Sequence, residues 1–330
     1  MIGRGPRAMP GPENGTSGGI IKPEQDALSG ASWPLVEPGA CLRSSIILIA
    51  PSSTERAFVR ARSPRMTSDD KFLCIEDLGK IYASRQGQIV ALDHVSLSVG
   101  AAEFVSLLGP SGCGKSTLLR CVAALERPTT GTINLRGNAV TEPPEDMSIV
   151  FQRDVLLDWL TVLRNILLPA RLRRLPLDQW RPKAHALLEL IGLDGFANRF
   201  PWELSGGMRQ RVAICRALLL NPSLLLMDEP FGALDAMTRD ELNLELQRLW
   251  IADAKTVLFV THSIAEAVFL SDRIVVMSRS PGRVVDIVVV DLPRPRELSI
   301  RETPEFSRLV SRIRQTFEGF GMLRGTHVRA

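Results

Sequence analysis

Cysteine is sparse in this chain of 330 residues, and nothing in its spacing suggests pairing. The five cysteines are Cys41, Cys74, Cys113, Cys121 and Cys215. They are odd in number, show no C-x-x-C spacing and do not group with the four histidines. These absences argue against a disulfide framework and against a Cys–His metal site. We therefore predict reduced thiols, as in a cytoplasmic protein.

Long apolar runs and a strong net charge are also missing. No segment approaches the roughly 18 apolar residues that crossing a bilayer requires. The longest early apolar run covers only residues 46–50, and the layout of a secretory signal is not found. The net charge of +4 is small for this length, so nothing calls for a nucleic-acid partner. If the protein works at a membrane, other chains must span it.

Residues 1–66 differ from the rest because glycine, proline and serine are dense and no regular period persists. Such a segment buries too little apolar surface to offset the entropy of ordering, which predicts a disordered N-terminal extension. Patterned sequence begins directly after Met66, which suggests the hypothesis that Met66 is the true start. An intact mass of the endogenous protein that includes residues 1–65 would contradict it.

Two segments from Lys71 onward alternate apolar and polar residues: KFLCIEDLGKIYAS and IVALDHVSLSV. This alternation and the polar turn between the segments predict an antiparallel hairpin. The chain's single tyrosine, Tyr82, lies at the end of the first strand. It is either a cross-strand packing residue or an aromatic face on which a nucleotide base stacks.

A phosphate-binding loop is predicted at residues 109–117, GPSGCGKST, which fit the pattern G-x-x-x-x-G-K-[ST]. The apolar EFVSLL before the loop reads as a buried strand, and helical spacing follows the loop. Backbone N–H groups of such a loop point at phosphate oxygens, and the helix N-terminus adds partial positive charge. Lys115 would meet the β- and γ-phosphates, and Ser116 would hold Mg²⁺. The nucleotide-binding residues predicted here are Gly109, Pro110, Ser111, Gly112, Cys113, Gly114, Lys115, Ser116 and Thr117.

The remaining chain reads as two parts of an α/β core separated by a helical insertion. Two strands precede residue 152, and the insertion is predicted to be helical over about 153–204. SLLLMDEP, TVLFVTH, RIVVM and RVVDIVVV are predicted strands, and Asp235 is a predicted helix cap. In the tail, 296–330, one helical face carries five apolar residues, which predicts a packing helix: Phe306, Leu309, Val310, Ile313 and Phe317.

Four polar residues follow predicted strands, where open α/β sheets place their ligands. Asp228 would complete the Mg²⁺ shell with Ser116, and Glu229 would polarise the water that attacks the γ-phosphate. Gln152 would bind Mg²⁺ or that water, and His262 would contact the γ-phosphate. The structural alternatives are solvated strand-end charges for the carboxylates and a satisfied core histidine for His262.

A second anion-binding helix start is predicted at LSGGM, from Ser205, Gly206 and Gly207. One site does not need two such loops on one phosphate chain. Two copies arranged head to tail would use both, each copy covering the nucleotide of the other.

These motifs, in this order, resemble the ATP-binding subunit of an ABC transporter. GPSGCGKST resembles the Walker A loop, LLLMDE the Walker B strand, GALD the D-loop and LSGGM the LSGGQ signature, with Met208 as a departure. Gln152 resembles the Q-loop glutamine, His262 the switch histidine and Tyr82 the base-stacking aromatic. The resemblance covers about residues 71–290. It implies ATP and Mg²⁺ as cofactors, a homodimer that sandwiches ATP, and catalytic roles for Lys115 and Gln152 beside Glu229 and His262.

The implied fold is α/β: a P-loop (RecA-like) ATPase core, with an antiparallel β subdomain and a helical insertion subdomain. The ATPase domain would occupy residues 67–295.

A narrower resemblance, carried by residues 201–250 and 261–284, is to the nitrate/sulfonate/taurine branch of bacterial importers. It implies membrane permease subunits, an extracytoplasmic solute-binding protein and a place on the cytoplasmic face of the inner membrane. Apolar residues such as Leu157 and Trp159 fall where the family receives the permease's coupling helix. Alternatively they pack inside the helical insertion.

Two other classes of function also use a phosphate-binding loop: soluble ABC ATPases and small-molecule kinases. A soluble ABC ATPase acting on DNA or ribosomes usually has a coiled-coil insertion or tandem cassettes, and this sequence shows neither sustained heptads nor repeats. A phosphate-loop kinase acting on a small molecule would not need LSGGM. The transported substrate is not encoded in these motifs, because the ATPase does not touch the cargo.

Overall fold

The computed structural model describes residues 71–84, 87–253 and 255–322. The predicted extension, 1–66, and the last part of the predicted tail, 323–330, lie outside these ranges, and the domain limits at 67 and 295 stay predictions. The strands of the described ranges are β1 (Lys71–Ser84), β2 (Gly87–Gly100), β3 (Phe104–Leu108), β4 (Thr130–Leu135), β5 (Asn138–Ala139), β6 (Met147–Val150), β7 (Leu224–Asp228), β8 (Thr256–Thr261), β9 (Arg273–Met277) and β10 (Val284–Val289).

The helices alternate with the later strands. Those of the described ranges are α1 (Lys115–Val122), α2 (Val162–Ile166), α3 (Leu168–Leu172), α4 (Leu177–Leu190), α5 (Gly206–Leu218), α6 (Ala236–Ala252), α7 (Ile264–Leu270) and α8 (Pro304–Gly319). Among these, no helix combines the length and the apolarity that spanning a bilayer demands.

The predicted hairpin is confirmed. β1 and β2 pair antiparallel, with Lys71 opposite Gly100 and Tyr82 opposite Ile89. β4 and β5 extend the far edge of β1, giving a four-stranded sheet of order β2-β1-β4-β5. Alternate residues of β1 such as Leu73 are buried in one cluster with apolar residues of β3 and α1. This sheet therefore covers one side of the nucleotide-binding region.

The second sheet is central and has the order β10-β9-β3-β8-β7-β6. Its strands run parallel except for the edge strand β10, which is antiparallel to β9. Every residue of β3 and β8 is buried, as continuous apolar runs predict for strands covered on both faces. The carboxyl ends of β3, β6, β7 and β8 therefore meet at one edge of the sheet.

The helical insertion departs from its prediction at its start. Residues 153–161 form a loop, and the first helix begins at Val162, so the helical prediction is wrong for this stretch. Val155 has φ 48°, a left-handed conformation that a β-branched residue does not adopt in a helix. The side chain of the fully buried Asn165 supplies the hydrogen bonds that a helix would otherwise give to the backbone of this loop. Its amide nitrogen donates to three carbonyls, those of Leu157, Leu160 and Thr161. Its amide oxygen accepts the N–H of Leu157 at 2.8 Å.

The same loop is also fastened to α5. Arg209 pairs with the carboxylate of Asp154 at 3.0 Å. Arg216, about two turns further along the helix, donates to the carbonyls of Asp154 at 2.8 Å and of Val155 at 2.7 Å. The loop is therefore fixed to the helical insertion on one side and to the helix of the LSGGM segment on the other.

Side-chain caps start α5 and α6, as predicted. Ser205 accepts the N–H of Met208 at 3.3 Å, and Asp235 accepts the N–H of Thr238 at 3.0 Å. A Cβ at Gly207 would lie 2.5 Å from Thr238 Cγ2. Glycine at this position therefore lets the two helix starts pack against each other.

The C-terminal helix packs on the core, as its apolar face predicts. Phe306, Ile313 and Phe317 are buried, and Leu309 and Val310 lie half-buried against the same cluster. The cluster includes residues of α6, α7 and the central sheet. α8 therefore belongs to the same folded body as the central sheet.

A buried arginine joins this C-terminal segment to α7. Arg296 is 1% exposed. Its guanidinium donates to four carbonyls, those of Val268, Phe269, Ser271 and Leu292. Its backbone exchanges two hydrogen bonds with the Gln247 amide of α6, each 2.8 Å long. Burial lowers the pKa of Arg296 to about 9. The charge is kept inside the fold by carbonyl oxygens at the C-terminal end of α7, where a helix favours a cation.

We expect Arg296→Ala to lower the free energy of unfolding by about 2–4 kcal/mol, because it leaves four carbonyls without their donor inside the protein. Urea unfolding followed by circular dichroism measures the change. The matched control is Arg308→Ala on the exposed side of α8, which should change stability by no more than about 0.5 kcal/mol. Equal effects of the two substitutions would contradict the role given to Arg296.

Candidate nucleotide site

The phosphate-binding loop joins β3 to α1, in the strand–loop–helix arrangement that the sequence predicts. Gly114 has φ 95°, and a Cβ there would lie 2.7 Å from the carbonyl oxygen of Ala91. Gly112 has φ 77° and is exposed, as is Ser111. The loop thus takes a backbone course that only glycine permits at two points.

The ammonium of Lys115 lies inside the loop. It is 4% exposed and donates to the carbonyls of Gly109 at 2.8 Å and Pro110 at 3.0 Å. The Cys113 sulfur is 3.9 Å from it, and the Glu229 carboxylate is 3.7 Å away. A cation held this close to the loop backbone is placed to meet phosphate oxygens that the loop binds.

A neighbouring segment closes over the loop and was not found from the sequence. A Cβ at Gly282 would lie 2.1 Å from the carbonyl oxygen of Cys113. The Gly282 N–H donates to Ala91 at 2.9 Å, and its carbonyl accepts from Asp93 at 3.0 Å. Gly282 therefore locks the loop between β2 and the turn before β10. The glycine of the segment SPGR, residues 280–283, is a turn signal in the sequence, but its contact with Cys113 depends on the tertiary fold.

Two oxygen groups meet beside the start of α1. The Ser116 hydroxyl donates to the Asp228 carboxylate at 2.8 Å. Burial raises the pKa of Asp228, and the Ser116 hydrogen bond opposes that shift. A serine hydroxyl and a carboxylate are hard oxygen ligands of the kind that Mg²⁺ prefers. The pair brought together here therefore fits the predicted metal role.

Glu229 occupies the residue after β7 in a strained conformation. Its φ is 44°, in the left-handed region that non-glycine residues seldom adopt. Backbone hydrogen bonds to Val260 at 3.0 Å and from Gly232 at 3.1 Å hold it there. Its carboxylate lies 3.2 Å from the His262 ring and 3.7 Å from Lys115. Three of the four predicted catalytic groups, those of Lys115, Glu229 and His262, are thus together, and His262 is not a core histidine because its side chain is half exposed.

Gln152 follows β6 and reaches the same edge of the sheet. A Cβ placed on Gly232 would be 3.7 Å from the Gln152 amide nitrogen and 3.7 Å from the Glu229 carboxylate. The amide therefore lies near the carboxylate, while its own residue is exposed. Its predicted contact with Mg²⁺ or the attacking water stays a prediction.

Tyr82 lies beside the end of the phosphate loop. Its hydroxyl is 3.5 Å from the Thr117 hydroxyl and donates to the Glu126 carboxylate. The Lys80 ammonium lies 5.0 Å from the ring centroid. The residue is thus close to the predicted nucleotide, and its role as a stacking surface stays a prediction.

Ser205, Gly206 and Gly207 lie apart from the loop at 109–117. Within the part of the chain that the structure describes, a Cβ on Gly206 or Gly207 would contact Arg209, Leu234 or Thr238 and no residue of that loop. The Ser205 hydroxyl accepts from Met208 at the exposed start of α5. This separation agrees with the prediction that the segment serves the nucleotide of a second copy.

Two further polar residues border the catalytic groups. Arg239 donates to the carbonyls of Phe231 and Leu234 and fixes the turn between β7 and α6. Glu266, on α7, is 6% exposed and shares a small cleft with Glu229, Arg239 and His262. The spacing Ser263-x-x-Glu266 is a capping-box signal from which Glu266 could have been found. Arg239 has no such local signal.

Comparisons with known proteins agree with this geometry. The model of the ABC transporter family matches residues 92–232. The chain is 45% identical over 241 residues to an uncharacterised ABC transporter ATP-binding protein of Methanocaldococcus jannaschii, covering 73% of this chain and 90% of the relative. It is 46% identical over 248 residues to the taurine import ATP-binding protein of Rhizobium johnstonii, and the match covers 73% of this chain and 95% of that relative. It is 39% identical over 251 residues to the aliphatic sulfonates import ATP-binding protein of Bacillus cereus, covering 76% and 97%.

A solved structure with the same architecture is a dimeric ATP-binding cassette in a post-hydrolysis state, bound to ADP and phosphate. It has a TM-score of 0.59 and 34% identity, and the match covers 66% of this chain and 98% of that one.

We expect Lys115→Ala to weaken ATP binding about ten- to a hundredfold, because a charge-assisted hydrogen bond contributes about 1.5–3 kcal/mol and about 1.4 kcal/mol is tenfold in affinity. Titration with a fluorescent ATP analogue measures the dissociation constant. Lys71→Ala, at the exposed start of β1, is the control and should bind as the wild type does. Unchanged affinity in Lys115→Ala would count against the phosphate-loop assignment.

Proposed function

Because the chain belongs to the ABC transporter family and is its ATP-binding, ATP-hydrolysing subunit, we propose that it powers uptake of a small sulfonate-like anion. Taurine and aliphatic sulfonates are the solutes named for its relatives. The cargo proposed from the sequence is a small anion or organic solute of the nitrate, sulfonate or taurine kind. Membrane permease subunits, which are separate chains, form the path for the solute.

The observation that carries the ATPase assignment is the meeting of Lys115, Glu229 and His262 at one edge of the central sheet. The Glu229 carboxylate lies within 3.7 Å of the lysine ammonium and 3.2 Å of the imidazole. A general base between a phosphate-binding cation and a polar ring suits attack of water on a γ-phosphate. A simple nucleotide-binding module would not need this arrangement.

In the proposed reaction the loop at 109–117 binds the phosphates of ATP, and Lys115 stabilises charge on the β- and γ-phosphates. Ser116 and Asp228 would hold Mg²⁺, with Gln152 beside them, and the bound ion would neutralise phosphate charge. Glu229 accepts a proton from the attacking water as the water oxygen bonds to the γ-phosphorus, and the bond from that phosphorus to the bridging oxygen breaks, which releases ADP and phosphate. His262 donates a hydrogen bond towards the γ-phosphate and keeps the Glu229 carboxylate in place. Tyr82 supplies an aromatic face for the base.

Two copies of the chain complete the site. The start of α5, where Ser205 and Gly206 are exposed and Gly207 is buried against α6, gives N–H groups and the positive end of a helix to the nucleotide of the partner copy. The proposed assembly is a homodimer with ATP between its subunits, and the solved cassette that this chain resembles is also dimeric, with ADP and phosphate bound. ATP binding closes this dimer, and hydrolysis reopens it.

The loop at 152–161 is the proposed contact with the permease. Trp159 is 71% exposed and Val155 is 53% exposed, while Leu157 is half-buried. For Trp159 the alternative of packing inside the insertion is therefore wrong. Partners proposed for this surface are permease subunits at the cytoplasmic face of the inner membrane. An extracytoplasmic solute-binding protein would act on the opposite side of the permease.

The importer is favoured over both rivals. Two of the relatives described above are named as import ATP-binding proteins, for taurine and for aliphatic sulfonates, and this chain covers 95% and 97% of their lengths. A phosphate-loop kinase for small molecules has no use for an exposed second anion-binding helix start. An ATPase of DNA or ribosomes has no use for an exposed tryptophan in the loop that follows Gln152.

We expect Glu229→Gln to reduce turnover at least about a hundredfold, because glutamine keeps the shape of the side chain but cannot accept the proton. ATP then persists, so the variant should elute as an ATP-dependent dimer in size-exclusion chromatography. Phosphate release measures turnover. Glu318→Gln, exposed on α8, is the control and should behave as the wild type. Normal hydrolysis by Glu229→Gln would remove Glu229 from its role.

The importer itself is tested by affinity purification of tagged Glu229→Gln from native membranes in the presence of ATP. We expect mass spectrometry to identify a multi-span permease among the bound chains. Adding Trp159→Ala should lose the permease while the ATP-dependent dimer remains. Val289→Ala, an exposed apolar residue of β10, is the matched control and should retain it. Recovery of ribosomal or DNA-associated proteins without a membrane chain would contradict the importer.

A further inference from the structure

The short turn between β8 and α7 carries His262 at its centre. Thr261 is the last residue of β8, and Ser263 is the N-cap of α7. Within the described residues the His262 ring makes one hydrogen bond, to Glu229 at 3.2 Å, and it is half exposed. Few side-chain contacts therefore hold the ring. Its position depends on the backbone of the two residues that flank it.

Glu266 connects those two flanking residues. Its carboxylate accepts a hydrogen bond from the Thr261 hydroxyl. The Thr261 hydroxyl oxygen in turn accepts the N–H of Ser263 at 3.0 Å. The Ser263 hydroxyl then accepts the N–H of Glu266 at 3.3 Å, which closes the circuit. In an ordinary capping box the glutamate bonds directly to the backbone of the N-cap residue. Here the hydroxyl of Thr261 stands between them.

The side chain of Glu266 is buried, although a glutamate that only caps a helix needs no burial. It is 6% exposed, and its Oε1 has no hydrogen-bond partner among the described residues. It lines the cleft that also contains Glu229 and Arg239. Burying a carboxylate here costs solvation free energy. We therefore expect the Glu266 side chain to have a structural or functional role.

The far end of α7 is fixed independently. Arg296 donates to the carbonyls of Val268, Phe269 and Ser271, which end the helix. The seven residues of α7 are therefore held at both ends. With the C-terminal end fixed, the circuit at the N-terminal end decides where the turn at residue 262 lies.

We propose that Glu266 is the positioning residue for His262, acting through the hydroxyl of Thr261 and the backbone of Ser263. It does not touch the nucleotide. It holds the imidazole where the ring can reach both Glu229 and the γ-phosphate. This inference rests on the proposed ATPase function. It predicts that loss of the circuit slows hydrolysis and leaves ATP binding unchanged.

The test compares full-length variants in ATP hydrolysis and in binding of a fluorescent ATP analogue. We expect Glu266→Ala to lower kcat about tenfold or more, which corresponds to about 1.4 kcal/mol, with KM and ATP affinity within about twofold of the wild type. Thr261→Val removes the hydroxyl at constant shape and should match Glu266→Ala. Glu266→Gln keeps an acceptor oxygen and should retain most of kcat. Thermal melting reports whether each variant is folded.

A double-mutant cycle with His262→Ala separates positioning from general destabilisation. If Glu266 acts through His262, Glu266→Ala should add less than about a twofold loss in the His262→Ala background. Radiolabelled ATP and long incubation make such slow turnover measurable. Should Glu266→Ala fail to fold, Thr261→Val takes its place in the cycle.

Three results would overturn the inference. The first is a double variant whose loss of kcat equals the product of the losses of Glu266→Ala and His262→Ala. The second is a wild-type kcat in folded Thr261→Val. The third is a raised KM with unchanged kcat in Glu266→Ala. Absence of ATPase activity in the wild type would instead overturn the proposed function, so the two failures are distinguishable.

Discussion

The register of three parallel strands is the constraint on which the rest of the site depends. Leu108 of β3 pairs with Thr261 of β8, and Val260 of β8 pairs with Asp228 of β7. The residues that follow these pairs are Gly109 of the phosphate loop, Glu229, which is the proposed general base, and His262, which is proposed to contact the γ-phosphate. Because the side chains of a strand alternate between faces, a slip of one residue would turn all of them away from one another.

This edge of the sheet concentrates groups that are unfavourable by themselves. Glu229 has a left-handed backbone, and the Asp228 carboxylate has its pKa raised by burial. The Lys115 ammonium is almost fully buried, where carbonyls and the Glu229 carboxylate surround it. Each group is tolerable because its neighbours carry the opposite charge or a hydrogen-bonding dipole. Their conformations are thereby set before ATP arrives, which is how a preorganised site avoids reorganisation during the reaction.

Local patterns predicted the parts of this structure that depend on local physics. Alternation predicted the β1–β2 hairpin, glycines with Lys115 predicted the phosphate loop, and capping residues predicted the starts of α5 and α6. The loop at 153–161 was predicted as helix because its leucines recur at helical spacing, but Asn165 satisfies its backbone from the next helix. Gly282 and Arg296 were missed because their partners lie far away in the sequence. Whether Tyr82, Gln152 and the segment at 205–207 meet a nucleotide also depends on molecules outside the chain.

The four hydrogen bonds of Asn165, together with Arg209 and Arg216, have a mechanical consequence. A loop fastened at so many points is braced against bending, and the same contacts join the segment that carries the exposed Trp159 to α5. If this loop meets the permease as proposed, these contacts would carry a displacement from Trp159 to the start of α5. Asn165 lies far from the phosphate loop in the sequence and carries no charge. Its hydrogen bonds nevertheless help to connect the exposed loop at 153–161 to the helical insertion and α5.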